Sequence, residues 1–163
     1  NARGETDLPD SVLERLDIAI ASIHMPCFKD ERTIDNVTAA YEKVMEHPYV
    51  DIIGHPDDGR FPVDMKRLVK KAKETGTLLE VNNSSLRPEG FRENTKENCL
   101  EMVKECKAQG VMIVLGSDSH VDADIAEYPY AEEILRETDF PEELVANVSL
   151  EKLKACIKHG KKL

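Results

Sequence analysis

Short apolar runs alternate with longer amphipathic stretches along the chain, and this alternation restricts the fold more than any other feature. Apolar runs of this length that lie between helical stretches are typical of parallel strands covered on both faces. The pattern therefore predicts an α/β fold made of four consecutive βα units. The predicted strands are Ile18 to Ile23, Val50 to Gly54, Thr77 to Val81 and Val111 to Gly116.

The stretches between these runs have helical spacing and helix-capping residues. Short helices are expected from Asp7 onward and around Tyr130, and a last helix is expected from Ser149 to near Gly160. Four βα units form either part of a (β/α) barrel or a small open sheet, and periodicity does not choose between these two. The expected N-caps are Thr33, Asp64 and Thr95, and the expected left-handed C-terminal glycines are Gly76 and Gly110.

The charge of the chain bears on its partners. Asp and Glu number 32 against 22 Lys and Arg, which gives a net charge of −10. A field of this sign repels polyanions, so nucleic acid is not an expected partner, whereas a small anionic substrate requires metal ions to supply positive charge. No apolar run approaches the roughly 18 residues that span a membrane, and no signal-peptide core is present. We expect a cytoplasmic chain without a membrane partner.

The four cysteines lack the spacing of a zinc motif or of a disulfide framework. We therefore expect reduced thiols. Cys99 and Cys106 share one face of a predicted helix and are interpreted as core residues, and Cys27 is interpreted as a packed loop residue outside any site.

Three of the five histidines follow predicted strands directly. His24 follows the first strand, His55 the second, and His120 lies just beyond the fourth, one residue after Ser119. The carboxyl ends of parallel strands open onto one face, so these imidazoles and Asp118 should converge there. Imidazole with carboxylate suits zinc, manganese or iron, and the sequence predicts a metal site. His47 and His159 are interpreted as solvated.

Two loops on the same face add polar groups. The loop after His55 offers carboxylates that could orient an imidazole and an arginine that could bind phosphate. The loop after the third strand is equally well explained as a substrate-binding segment or as a turn rich in Asn and Ser. The candidate residues for substrate or for support of the ligands are Asp57, Asp58, Arg60, Glu80, Asn82, Asn83 and Arg87.

Four segments in order resemble the PHP (polymerase and histidinol phosphatase) superfamily, and within it the YcdX-like phosphatases. They are 20–24 (IASIH), 51–56 (DIIGHP), 79–85 (LEVNNSS) and 115–120 (LGSDSH), with 147–149 (NVS) as a further similarity. The resemblance implies a distorted, TIM-like (β/α)7 barrel whose trinuclear site, zinc above all and otherwise manganese or iron, hydrolyses a small phosphorylated substrate with metal-activated water. By position, His24 and His55 resemble ligands of one metal, Asp118 of a second and His120 of a third.

The family's opening His-x-His motif, two further histidines and a bridging glutamate have no counterpart in this chain. The resemblance therefore implies residues 3–163 as the C-terminal part of a PHP domain, a partial barrel without its first strands, with residues 1–2 as the remnant of an expression tag. We expect a phosphoesterase whose present portion is inactive by itself and associates into a homo-oligomer through exposed barrel edges. The alternatives are a non-catalytic metal-binding or interaction module and an amidohydrolase-type metallohydrolase.

Overall fold

The computed structural model describes residues 1–158, which form an α/β fold with one parallel sheet. His159 and the predicted helix end at Gly160 lie outside these residues. The strands are β1 (Ile20–Ala21), β2 (Ile52–Ile53), β3 (Leu78–Asn82) and β4 (Ile113–Gly116). The helices are α1 (Asp10–Leu13), α2 (Ile34–Met45), α3 (Met65–Thr75), α4 (Thr95–Gln109), α5 (Pro129–Thr138) and α6 (Leu150–Cys156), with 3-10 turns at Asp122–Asp124, Glu142–Leu144 and Ala146–Val148.

The strands lie in the order β1-β2-β3-β4, so each is hydrogen-bonded to its neighbour in sequence. Helices α2 to α5 also pack each against the next. A doubly wound sheet reverses its strand order and places helices on both faces. The described residues instead wind in one direction, with the helices side by side.

The two faces of the sheet bury different residues because side chains alternate along a strand. Ile53, Leu79 and Ile113 face the helices and belong to the main hydrophobic core. Ile52, Leu78 and Val114 point to the opposite face, where Ala146 joins them in a second, smaller cluster. Glu80 is two residues from Leu78 and therefore lies on this inner face, above its apolar layer.

The four predicted strands are confirmed in order and position, but the observed strands are mostly shorter. β3 begins and ends one residue later than predicted, and β1 and β2 have two residues each. The prediction that every strand is buried on both faces is wrong for β1, where Ile20 is 59% exposed. Ile20 lies on the edge strand, opposite Ile52, and among the described residues no strand pairs with its outer side.

The capping predictions are confirmed with two corrections. Thr33 and Asp64 accept the backbone N–H groups of Asn36 and Arg67, and Gly76 and Gly110 are left-handed, with φ of 66° and 69°. The N-cap of α4 is Asn94 and not Thr95. The last helix, capped by Ser149 as the pattern indicated, ends at Cys156.

The early end of α6 has a structural cause. Ile157 is extended and buried, and the Lys158 N–H donates to the carboxylate of Asp51 at 2.9 Å. The other oxygen of the same buried carboxylate accepts the Ala19 N–H at 2.9 Å. Asp51 therefore joins the start of β2 to the segment before β1 and to the chain beyond α6.

The two edges of the sheet differ. Beside β4, Val145 forms a parallel bridge with Ile113, and the Asn147 amide exchanges two hydrogen bonds of 3.0 Å with the Leu115 backbone. This side-chain amide takes the place of a neighbouring strand and covers the edge. A cavity of about 380 Å³ borders β1, between the N-terminal residues and α2.

The four cysteines are free thiols, as expected from the sequence. Cys99 and Cys106 are fully buried in the core on one face of α4, and burial raises the pKa of Cys106 to about 12. Cys27 is exposed. Among residues 1–158, no helix combines the length and apolar character needed to cross a bilayer.

Candidate functional site

Polar side chains gather at the carboxyl ends of the four strands, on the inner face of the sheet. His24 follows β1, His55 follows β2, and Asp118 follows β4. β3 contributes Glu80 and Asn82, which are both buried. These five residues lie together, so the predicted convergence is present for His24, His55 and Asp118.

The two histidines form an edge-to-face pair with ring centroids 4.9 Å apart. His24 is exposed, and its Nε2 lies 2.9 Å from the Ser22 hydroxyl. His55 is only 6% exposed, and its Nδ1 is buried without a hydrogen-bond partner. Burial, followed by the charges of Arg92 and His24, lowers the pKa of His55 to about 4. At neutral pH this imidazole is therefore neutral, the form that binds a metal.

The turn after β2 is built around Glu80. His55 has a left-handed backbone with φ of 35°, an uncommon conformation for a residue with a side chain. Its N–H donates to Glu80 Oε2 at 2.7 Å, and Asn82 Nδ2 donates to the same oxygen at 3.1 Å. Burial raises the pKa of Glu80 overall, although these two hydrogen-bond donors act to lower it. A buried carboxylate thus holds the His55 backbone in place.

Gly116 makes room for this carboxylate. It lies opposite Asn82 in the register of β3 and β4. A Cβ atom at Gly116 would lie 1.9 Å from Glu80 Oε1, much closer than any real contact. The glycine is therefore required by close approach and not by its backbone angles.

Asp118 is held by two donors on one of its oxygens. Arg92 Nη2 donates to Oδ2 at 3.0 Å, and Asn82 Nδ2 lies 3.3 Å from the same atom. Burial alone would raise the pKa of Asp118, but Arg92 and Asn82 lower it below its usual value. Asp118 has a φ of 49°, which is also left-handed. The residue is thus an ionised carboxylate in a constrained turn.

The loop after His55 contains two buried aspartates with opposite environments. Asp58 forms a two-pronged pair with Arg60, with its shortest bond 2.6 Å long. Burial would raise the pKa of Asp58, but the Arg60 guanidinium lowers it overall. Asp57 is fully buried, and neither of its oxygens has a hydrogen-bond partner of good geometry. Burial raises its pKa to about 7.

Four other candidates from the sequence have different surroundings. His120 is exposed, and its Nδ1 lies 3.0 Å from the Asp118 backbone oxygen. Arg87 is paired with Asp124 at 2.7 Å, and Arg60 is occupied by Asp58. Asn83 is buried, and its side-chain oxygen accepts the N–H groups of Tyr130 and Ala131 at the start of α5.

His47 corrects the expectation of a solvated histidine. Its side chain is only 20% exposed, and Nε2 lies 3.1 Å from a carboxylate oxygen of Asp10. The residue joins the end of α2 to α1, because the chain before β1 folds back over that end of the helix.

Asn83→Ala is expected to destabilise the chain by about 2 kcal/mol, because two N–H groups at the start of α5 lose their acceptor. Urea unfolding measures this change. Asn83→Asp retains the accepting oxygen and is the comparison, and we expect it to lose less stability than Asn83→Ala, because a carboxylate at the start of a helix keeps both hydrogen bonds. Equal losses in the two variants would show that Asn83 does not act as a cap.

The side chains at the strand ends fit a metal site only in part. In favour of a metal, His55 Nδ1 and both Asp57 oxygens are buried without partners. Both donors to Asp118 use Oδ2, so Oδ1 is not engaged by them. Against a complete site, no three His, Cys, Asp or Glu side chains within residues 1–158 are placed so that they could hold a metal ion. The pair of His24 and His55 is therefore the best-formed half of such a site.

Arg92 is the site residue that sequence reasoning missed. It lies ten residues beyond β3, in a loop without strand or helix periodicity, yet its side chain is only 6% exposed. Its neighbour Phe91 is 73% exposed and lies close to two guanidinium groups, Arg60 at 4.9 Å and Arg92 at 5.3 Å from the ring centroid. No spacing rule links such a loop residue to the strand ends.

Comparison with known proteins finds relatives over nearly the whole chain. It is 46% identical over 161 residues to a probable phosphatase of Clostridium novyi, covering 99% of this chain and 65% of that protein. A probable phosphatase of Acetivibrio thermocellus is 42% identical over 97% of this chain and 64% of its own length. One of Clostridium acetobutylicum is 36% identical over 100% of this chain and 66% of its own length.

The chain thus spans slightly less than two thirds of the length of these relatives. No family model matches it.

Proposed function

We propose that this chain is the C-terminal part of a metal-dependent phosphatase of the PHP superfamily, of the YcdX-like branch. The observation that carries the proposal is the inner-face cluster at the strand ends, with its unpartnered His55 Nδ1 and ionised Asp118. The names of the relatives support phosphate ester hydrolysis as the reaction. The likeness of segments 20–24, 51–56, 79–85 and 115–120 to the family supports the narrower assignment.

His24 and His55 would hold one metal ion, and Asp118 and His120 would each contribute to others. When bound, zinc, manganese or iron supplies positive charge for the phosphoryl oxygens and lowers the pKa of water. Other residues of the chain hold the metal-binding side chains in place: Glu80 holds the His55 backbone, and Asn82 bridges Glu80 to Asp118. Arg60 and Arg92 place two guanidinium groups beside Phe91, but Asp58 and Asp118 pair with them, so the charge that attracts an anionic substrate would come from the metal ions.

The proposal is tested by phosphate release from 4-nitrophenyl phosphate by the full product of the gene. We expect turnover that a chelator abolishes and that manganese or zinc restores. Asp118→Ala is expected to lower kcat/KM by roughly 100-fold or more, because loss of groups that merely support a ligand already costs 10- to 100-fold. Asp35→Ala is the control, because Asp35 is exposed and pairs with Arg67, outside the strand-end cluster, and unchanged turnover is expected.

The 163-residue chain by itself is proposed to be inactive, because its described residues do not bring three ligands together. Chelator-sensitive turnover by this chain would contradict the inactivity. Chelator-resistant turnover by the full gene product would contradict metal dependence. Absence of phosphate release from the full product with manganese, zinc and iron each present would contradict the phosphatase assignment.

The same proposal includes a partial barrel and association through its open edge. Sequential strand order with helices side by side is the arrangement of consecutive βα units in a (β/α) barrel. The exposed Ile20 on β1 offers an edge to a second copy of the chain. Light scattering at micromolar concentration is expected to give at least the dimer mass, and a monomer mass would contradict association.

A further inference from the structure

Arg92 lies at the centre of the strand-end cluster, although neither the resemblance nor the spacing of the strands points to it. Nη2 donates to Asp118 at 3.0 Å, and Nη1 donates to the Ser85 hydroxyl at 2.7 Å. Nη1 also lies 3.3 Å from Asn82 Oδ1. The side chain is 94% buried by its contacts, since only 6% is exposed. This is a fixed guanidinium and not a mobile surface group.

The charges around Arg92 are mostly negative. Its Nε lies 3.9 Å from Asp58 Oδ2, and this nitrogen is buried without a hydrogen-bond partner. Asp58 is already paired with Arg60, whereas the cation that contacts Asp118 is Arg92. Withdrawing a carboxylate from water without a cation is costly, so Arg92 stabilises Asp118, whose side chain is 30% exposed.

We infer that Arg92 is a built-in counter-ion of Asp118 whose charge opposes divalent metal binding at that carboxylate. The inference rests on the metal-binding part of the proposed function. A divalent cation on Oδ1 would lie on the same carboxylate as the guanidinium that is fixed on Oδ2. Two positive charges on one carboxylate are close together, and they repel each other more strongly inside a protein than in water.

Two consequences follow, one for the metal-free chain and one for metal binding. Asp118 stays in position without a metal, because Arg92 and Asn82 hold it. Metal occupancy at Asp118 is weaker than the ligand set alone would give, because the incoming cation meets a positive charge. Arg92 therefore positions Asp118 and also lowers its affinity for metal.

The experiment compares the wild-type chain with Arg92→Met and with Arg67→Met, using Mn²⁺ titration by calorimetry and thermal unfolding in EDTA. Arg67 is a matched control, because it also bonds two carboxylates, Asp35 and Glu42, and neither of these belongs to the strand-end cluster. No substrate is present, so the result does not depend on phosphatase turnover.

We expect Arg92→Met to bind Mn²⁺ on the order of tenfold more tightly than the wild type, since a positive charge is removed beside a ligand. We also expect it to unfold several degrees lower in EDTA and to regain that loss with Mn²⁺, because bound metal stabilises the folded state. Arg67→Met should match the wild type in Mn²⁺ affinity.

Equal or weaker Mn²⁺ binding by Arg92→Met would overturn the inference. Equal thermal stability of Arg92→Met and wild type in EDTA would also overturn it. If Arg92→Met does not fold, Arg92→Gln provides the test, because it removes the positive charge but keeps a side-chain N–H that can donate to Asp118. An affinity for Mn²⁺ several-fold above the wild type is then expected, and no increase would again overturn the inference.

Discussion

Asp57→Asn is expected to remove a loss of stability that the wild-type chain suffers between pH 5 and pH 8. Burial raises the pKa of Asp57 from 3.8 to about 7, so the folded state holds this proton more tightly than the unfolded state. Stability from the protonated form is complete below pH 3.8 and is lost as pH rises toward 7. The variant has no proton to lose and should be free of this loss.

The expected size of the effect is about 2 to 3 kcal/mol between the two pH values, because each pKa unit corresponds to about 1.4 kcal/mol. Urea unfolding in EDTA at pH 5 and pH 8 measures it. The exposed Asp35→Asn is the control and should keep the wild-type pH dependence. An Asp57→Asn variant that also keeps it would show that Asp57 is ionised in the folded chain.

Gly116→Ala is expected to destabilise the chain by about 3 kcal/mol. The new Cβ would lie 1.9 Å from Glu80 Oε1 and 2.8 Å from its carboxyl carbon. Glu80 is only 8% exposed and is bonded to the His55 N–H, so it moves only by breaking buried hydrogen bonds. Guanidinium unfolding is the measurement.

Two further variants separate this clash from a general effect of alanine. Gly54→Ala is the comparison for an inner glycine, since its nearest contact, at 3.0 Å, is with the exposed Ile20 side chain. We expect a loss of about 1 kcal/mol there. In a Glu80→Ala background, Gly116→Ala should cost less than about 1 kcal/mol, because the clashing carboxylate is absent. The same cost in both backgrounds would exclude the proposed contact.

Much of the fold could be predicted because local signals and burial agree. Apolar runs placed β1 to β4 in order, and the caps at Thr33 and Asp64 depend on neighbouring residues only. The end of α6 could not be predicted in this way. It depends on the bond between Lys158 and Asp51, which are far apart in sequence, and no local pattern encodes that contact.

The candidate site shows the same division between local and long-range information. His24, His55 and Asp118 could be named because each follows a strand, and parallel strands end on one face. The roles of Asn83 and Arg92 depend on loop paths, which place one at the start of α5 and the other against Asp118. An Asn after a strand looks the same in sequence whether it binds a ligand or caps a helix.

The central claim is that the strand-end cluster binds a divalent metal, and the metal content of the purified chain tests it most directly. After exposure to zinc, manganese and iron and removal of excess metal, elemental analysis should find about one metal per chain, held by His24 and His55. His55→Ala should lose this metal, whereas His120→Ala, at an exposed position, should keep it. No retained metal, or the same content in His55→Ala, would contradict the account.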